Sequence, residues 1–484
     1  MIGLLLGLIA DTFGVPLPAL TLLVAILAGY PFAFIYRARI FSEAKDVQYA
    51  FFALAGFSLV VLTCGPLVIH SLASIAIAYA ICRFAPGRDG SIVLAHGIFM
   101  GHLLIGYWFC ESAEYDVNWT TPHCILTLRL IGLVMDVYDG HQDQATLKPD
   151  QKAIAITDSP SLLEVAAYGY FPSGCLIGPQ FPLMRLRRLV AGEMLDPKTG
   201  KPRESQMVAL RKCVLPGVLY LVGHLIGAGI WHDAYMHSEE FQAESFLKSW
   251  LTTILWFRFI VMRYQGAWLL TEGANVLNGL AYDGSDKWHG ARDFWIRRFE
   301  LGYTFQRQYV EGFNYNTNQW VKSYIYKRLR WLGNRNYSHL LTLLFLALWH
   351  GYHLGYFVIF FYEFACMMAE AQLTDCVSRV PALEKWLDET PGWYVKWTFG
   401  KVFCLMTTSF GFLTFGLVKK ERWWIAVKNM GFAGWIFYFV LWPITYNFVL
   451  RRVLPKKPKS DHKETTSSSA STSVSELETS KKSD

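Results

Sequence analysis

The chain has 484 residues, 53% hydrophobic and 17% charged, with a formal net charge of +7. A soluble domain carries about 25% charged residues, and the apolar runs here recur near the ~20 residues needed to span hydrocarbon. That combination excludes a soluble globular protein and predicts an all-α polytopic membrane protein. The basic residues gather in a few loops, as in the cytosolic loops of membrane proteins, and nucleic acid is not among the expected partners. The nine cysteines show no C-x-x-C and no framework spacing, so neither a disulfide scaffold nor a metal site is expected.

Residues 1–15 are apolar but broken by Asp11 and Gly14, which predicts an interfacial segment. Spans are expected over 17–35, closed by Arg37 and Arg39, then over 49–70 and 92–109; 72–84 is too short to cross upright. The loop 111–121 is acidic and holds the sequon Asn118-Trp119-Thr120. The apolar run 125–137 contains Arg129, for which a carboxylate partner inside the bundle is expected. Glycines and prolines through 161–181 predict a broken, buried helix, tolerated only inside protein or beside a cavity.

Residues 185–212 form a basic, cytosolic loop. Spans are expected over 214–230 and 246–264. The polar, aromatic stretch 286–336 reads as interfacial helices at the cytosolic surface. Further spans are expected at 340–361, which carries His350, and at 395–418 and 424–450. The membrane-embedded part therefore runs over 1–454, followed by a Lys-, Ser- and Thr-rich disordered tail over 455–484. The tail ends Lys481-Lys482-Ser483-Asp484, the pattern of a dilysine retrieval signal read in the cytosol, which predicts residence in the endoplasmic reticulum membrane. A cytosolic tail conflicts with three single crossings after a cytosolic stretch at 286–336. One segment must be re-entrant, or 370–392 must enter the membrane.

No nucleophile elbow, phosphate-binding loop or dinucleotide fingerprint is present. What remains is a histidine at bilayer depth, a functional-site candidate by default, preceded by a polar segment. A neutral imidazole suits proton removal from a hydroxyl, and a carboxamide suits orienting it or donating to an oxyanion. His353 competes with His350. Asn314, Asn316 and Asn318 compete for the carboxamide role, and each is also a candidate cap of a helix expected over 320–332.

The runs Phe313-Asn314-Tyr315-Asn316-Thr317-Asn318-Gln319-Trp320, Tyr324-Ile325-Tyr326-Lys327-Arg328-Leu329 and Leu346-Ala347-Leu348-Trp349-His350-Gly351 resemble the membrane-bound O-acyltransferase superfamily. The runs 130–140 and 178–181 resemble its lysophospholipid acyltransferase branch. Much of the superfamily has Trp before the Asn, where this chain has Phe313. The resemblance implies a multi-helix bundle around a reaction chamber, with His350 and Asn314 as the catalytic pair. It implies acyl-CoA as co-substrate, entering from the cytosol, no cofactor, and a lysophospholipid entering from the bilayer. The expected substrate-binding residues are Trp320, Lys322, Tyr326, Lys327, Arg328 and Trp349, with basic residues of 322–330 and 185–188 on the CoA phosphates. Acylation of a sterol or protein, and a lipid transporter or scramblase, are the alternatives, and self-association is left open.

Overall fold

A computed structural model describes residues 2–110, 117–285 and 287–455. The acidic residues 111–116 and the tail with its dilysine ending lie outside them. Eight helical stretches among the described residues are long and apolar enough to cross a membrane. The first half of the chain supplies α1 (Ile2–Phe13), α2 (Leu17–Ile35), α3 (Lys45–Cys64), α4 (Ile69–Phe84), α5 (Asp89–Phe109) and α6 (Thr120–Gly140). Pro16 precedes the first turn of α2, and Gly65, at φ 56°, followed by Pro66, separates α3 from α4. Large apolar side chains such as Leu54, Val93, Leu219 and Phe399 point outward, as a lipid-facing surface requires. The sequon forms the start of α6: Asn118 Oδ1 accepts from Thr120 N–H (2.9 Å) and from its hydroxyl (2.6 Å).

Helix α6 is buried along nearly its whole length. Beside it lies the broken segment, where α7 (Leu162–Gly169) gives way to thirteen residues without helix. That segment leaves carbonyls unpaired in a water-poor interior, and Arg129 satisfies them. It donates to Tyr168 O (3.0 Å), Gly174 O (2.6 Å) and Pro179 O (2.9 Å), with its guanidinium over the Phe181 ring. The expected carboxylate partner is thus replaced by backbone oxygens. Asn275 and Asn278 add donors to Ser173 from the far side.

In the second half, α8 (Leu215–Ile230) packs along α9 (Phe246–Asn278), a 33-residue helix that outruns the expected span by fourteen residues. An irregular stretch with short turns leads to α10 (Tyr315–Tyr324) and a 3₁₀ turn over Tyr326–Leu332. The single span expected over 340–361 is two helices, α11 (Arg335–His350) and α12 (Leu354–Ser378), packed against each other as a hairpin. Gly351 makes the break at φ 126°, a conformation that favours glycine. The freed carbonyl of Trp349 accepts the Tyr107 hydroxyl of α5 (3.0 Å).

Helix α12 carries Glu370 in its last turns, so most of what reads as a polar loop is helix. It is followed by α13 (Gly392–Gly416) and α14 (Ala433–Val453). If the hairpin of α11 and α12 enters and leaves on one side, the crossings of α13 and α14 return residue 455 to the side of residue 334, the arrangement that a cytosolic tail requires.

Candidate active site

His350 is the last residue of α11, at the apex of the hairpin. Its backbone is pinned by α5 and α6: the Trp349 indole donates to Cys124 O (2.9 Å), and the Tyr352 hydroxyl donates to Leu104 O. The imidazole is half-buried among rings. Trp349, Tyr356, Phe360 and Phe415 lie at centroid distances of 4.6, 5.7, 5.5 and 5.1 Å, with Phe360 stacked. Among the described residues neither ring nitrogen has a hydrogen-bond partner. His353 lies outside α11, as the N-cap of α12.

Asn314 stands at the N-cap of α10 with φ 47° and ψ 52°. Among side chains with a Cβ, Asn is one of the few that enters this region at low cost. Its carboxamide makes no capping bond, and among the described residues it has no partner at all. Asn318 does the local structural work instead, donating to Val310 O (2.9 Å) and Phe313 O (2.8 Å). The helix expected at 320–332 in fact starts at Tyr315, so Asn316 and Asn318 lie inside it and do not cap it. Asn316 keeps a buried, unpartnered Nδ2.

The imidazole and the carboxamide do not bond each other, and each has an aromatic neighbourhood: Tyr356 packs on His350, and next to Asn314 the Phe313 ring lies 4.8 Å from Trp268 of α9, itself 6.2 Å from Tyr264. An unpaired imidazole in apolar surroundings can accept a proton, and an unpaired carboxamide can donate to an oxyanion.

The other expected contacts have structural partners. Arg328 forms an ion pair with buried Asp139 of α6 (Nη1–Oδ1, 2.8 Å), and Lys327 with Asp150. Tyr324 donates to Asp136 (2.8 Å). Trp320 is buried, stacked on Phe345, with its indole nitrogen where a Cβ on Gly132 would lie 2.8 Å away. Tyr326 packs on His339. Arg185 donates to Leu280 O and Tyr282 O, and Arg187 binds Asp158 and Glu164. Lys322 and Arg330 are exposed and without a side-chain partner among the described residues. The similarity of 130–140 to the branch thus falls on a clamp: α6 grips the segment that follows Asn314.

A basic cavity that the sequence reading did not identify lies beside the segment that carries Asn314. It measures about 220 Å³ and is bounded by the start of α8, by α9 and by residues 287–297. Residues 292–295 are tied to 312–315: Trp295 N–H donates to Gly312 O (2.9 Å) and Tyr315 N–H to Asp293 O (2.7 Å). At the buried Asp293, outside the spans, desolvation pushes the carboxyl well above the usual range.

Residues 104–416 match the model of the MBOAT, membrane-bound O-acyltransferase family. Over 458 residues the chain is 44% identical to "Lysophospholipid acyltransferase 5" of Caenorhabditis elegans, covering 94% of this chain and 96% of the relative. The human protein of the same name is 36% identical over 468 residues, covering 94% and 93%. A "Lysophospholipid acyltransferase" of Schizosaccharomyces pombe is 28% identical over 282 residues, covering 56% and 54%. With an all-helical membrane bundle, a family match across most of its length and relatives this similar end to end, the chain belongs to the membrane-bound O-acyltransferase family, in its lysophospholipid acyltransferase branch.

Proposed function

We propose that this protein transfers an acyl group from acyl-CoA to the sn-2 hydroxyl of a lysophospholipid, lysophosphatidylcholine first and lysophosphatidylethanolamine or lysophosphatidylserine second. The relatives' names support the acceptor class. The observation that carries the chemistry is His350: an imidazole with no hydrogen-bond partner among the described residues, walled by Trp349, Tyr356, Phe360 and Phe415.

His350 takes the hydroxyl proton as the glycerol oxygen attacks the thioester carbonyl. Asn314 donates to the oxyanion or steadies the imidazole. The tetrahedral adduct collapses, the C–S bond breaks, and the CoA thiolate takes the proton back from His350, leaving a diacyl phospholipid and CoA. The protein works without a cofactor in the endoplasmic reticulum membrane, with its tail in the cytosol.

The test is the enzyme purified in detergent, given radiolabelled acyl-CoA and a panel of lysolipids, a sterol and a peptide. Labelled diacyl phospholipid is expected from the lysolipids alone. His350→Ala should lower turnover by roughly 10²–10⁴-fold, the range for loss of a general base, with the melting temperature kept. Turnover above a tenth of wild type would remove His350 from that role.

A further inference from the structure

Helix α10 opens on Asn314 and yet is not capped by it. A capping side chain accepts from the second or third N–H of its helix, from a residue with extended backbone. Asn314 departs from that geometry at φ 47° and ψ 52°, and its carboxamide makes no capping bond. Its carbonyl still accepts the Asn318 N–H (3.0 Å). The first N–H groups of α10 are left in need of other acceptors.

Asp293 stands where those acceptors are needed. Its backbone oxygen accepts the Tyr315 N–H (2.7 Å). Its carboxyl is 1% exposed and lies by the Asn316 N–H, which works against burial to favour the ionised form. Arg129 and Glu272 act on it through their charges alone. Neither carboxyl oxygen closes a hydrogen bond of full geometry among the described residues, so nothing competes with α10 for it.

Across from the carboxyl lies Gly178. A Cβ there would sit 2.8 Å from Asp293 Oδ2, and so close an approach requires glycine. Residues 178–181 are the run that resembles the lysophospholipid acyltransferase branch. They belong to the broken segment, whose Pro179 carbonyl Arg129 holds (2.9 Å). Asp293 thus seats the start of α10 on the buried centre of the bundle. The bond from Trp295 N–H to Gly312 O (2.9 Å) adds a second tie just before Asn314.

We infer that Asp293 is a positioning residue for the reaction: it caps α10 from outside the helix, so that the Asn314 carboxamide stays free for the reacting thioester. The inference rests on the role proposed for Asn314 and goes beyond it by naming the group that keeps that carboxamide unbonded. Without the Asp293 carboxyl, the Asn316 N–H is a donor with no acceptor. Asn is among the strongest capping side chains, and Asn314 is then drawn back onto its own helix, away from the substrate.

The experiment is a double-mutant cycle on Asp293 and Asn314 in the full-length enzyme in detergent, with acyl-CoA and lysophosphatidylcholine as substrates and melting temperatures measured alongside. Asp293→Ala should lower kcat per folded molecule by roughly ten- to a hundredfold, the cost of misplacing a reacting group, with both KM values held. Asp293→Asn keeps an acceptor oxygen in the same place and should recover most of that loss. D293A/N314A should turn over no more slowly than Asn314→Ala alone, because the two changes remove one function. An unchanged kcat per folded molecule in Asp293→Ala overturns the inference, since the residue then serves stability alone. So does a double variant in which the two losses multiply, since Asp293 then acts elsewhere. So does Asp293→Asn as slow as Asp293→Ala, since a charge and not an acceptor is then what counts. If Asp293→Ala yields no folded enzyme, Asp293→Ser, shorter than Asp, takes its place in the same cycle. If Asn314→Ala itself turns over normally, the role proposed for Asn314 fails, a result distinct from each of these.

Discussion

At the residue scale, Asn314 separates side-chain chemistry from backbone conformation. Its φ of 47° costs an ordinary residue about 1–2 kcal/mol, and its carboxamide holds nothing among the described residues. Asn314→Gly should melt at or above the wild-type temperature, and Asn314→Ala about 1 kcal/mol lower, while both lose turnover. Asn318→Ala should do the reverse. Its two bonds to Val310 O and Phe313 O disappear, at a cost of roughly 1–3 kcal/mol for acceptors left unpaired, with turnover per folded molecule largely kept. Melting curves and specific activity on these three variants and on Asn316→Ala decide the matter; a stable but inactive Asn316→Ala with an active Asn314→Gly would move the carboxamide role two residues on. The choice among the three asparagines was not legible locally, since each is a plausible cap by type. The backbone angles and the Asn318 bonds distinguish them.

At the element scale, the grip of α6 on the stretch after α10 is testable through Arg328. If it served a substrate phosphate, its loss would raise the KM for acyl-CoA. As the partner of Asp139, which is 1% exposed, its loss strands a buried carboxylate, at a cost of about 3–5 kcal/mol when fully buried and less here because Arg328 is partly exposed. Arg328→Ala should therefore lower the melting temperature and leave that KM unchanged, and R328A/D139N should recover part of the loss. The loop beside the basic cavity carries a pH prediction. Burial, with Arg292 nearby, lowers His289 from 6.5 to about 4. The unfolded chain then binds a proton on this histidine below about 6.5 and the folded chain does not. This contribution is constant above pH 6.5, and stability is lost as pH falls from 6.5 towards 4. His289→Asn should flatten that part of the melting-temperature profile, and a profile parallel to wild type would show that His289 titrates normally in the fold.

At the scale of the whole molecule, the hairpin of α11 and α12 decides sidedness. Asp158 ties Arg187, and Asp150 ties Lys327, so the loop between α6 and α7 joins both basic regions on one face. An even number of passes from α11 to α14 would bring the end of α14 back to that face. Epitope tags inserted at 199–200, in the turn closed by the Leu195–Pro202 bridge, and placed after residue 455 should both be cleaved by protease added to sealed microsomes. Cleavage of one and protection of the other would mean that α11 and α12 form a single crossing after all.

The sequence by itself determined the class of protein, because spans, a broken Gly- and Pro-containing segment and basic loops are set by local composition against the thickness and dielectric of a bilayer. It also marked a histidine at bilayer depth, His350, with His353 as its rival, and left the amide open among Asn314, Asn316 and Asn318 until the resemblance to the family named Asn314. Only the tertiary structure decided which cations are spoken for. Arg129 is bound to carbonyls 39–50 positions away, Arg328 to an acid 189 positions away, and Arg292 faces Glu272 at 3.9 Å. Such pairings depend on which surfaces fold together across long sequence separations, and no local pattern encodes them. The break at Gly351 was hidden for a related reason: an apolar run reads the same whether it crosses once or turns at its middle, and only packing against α5 and α6 fixes the turn.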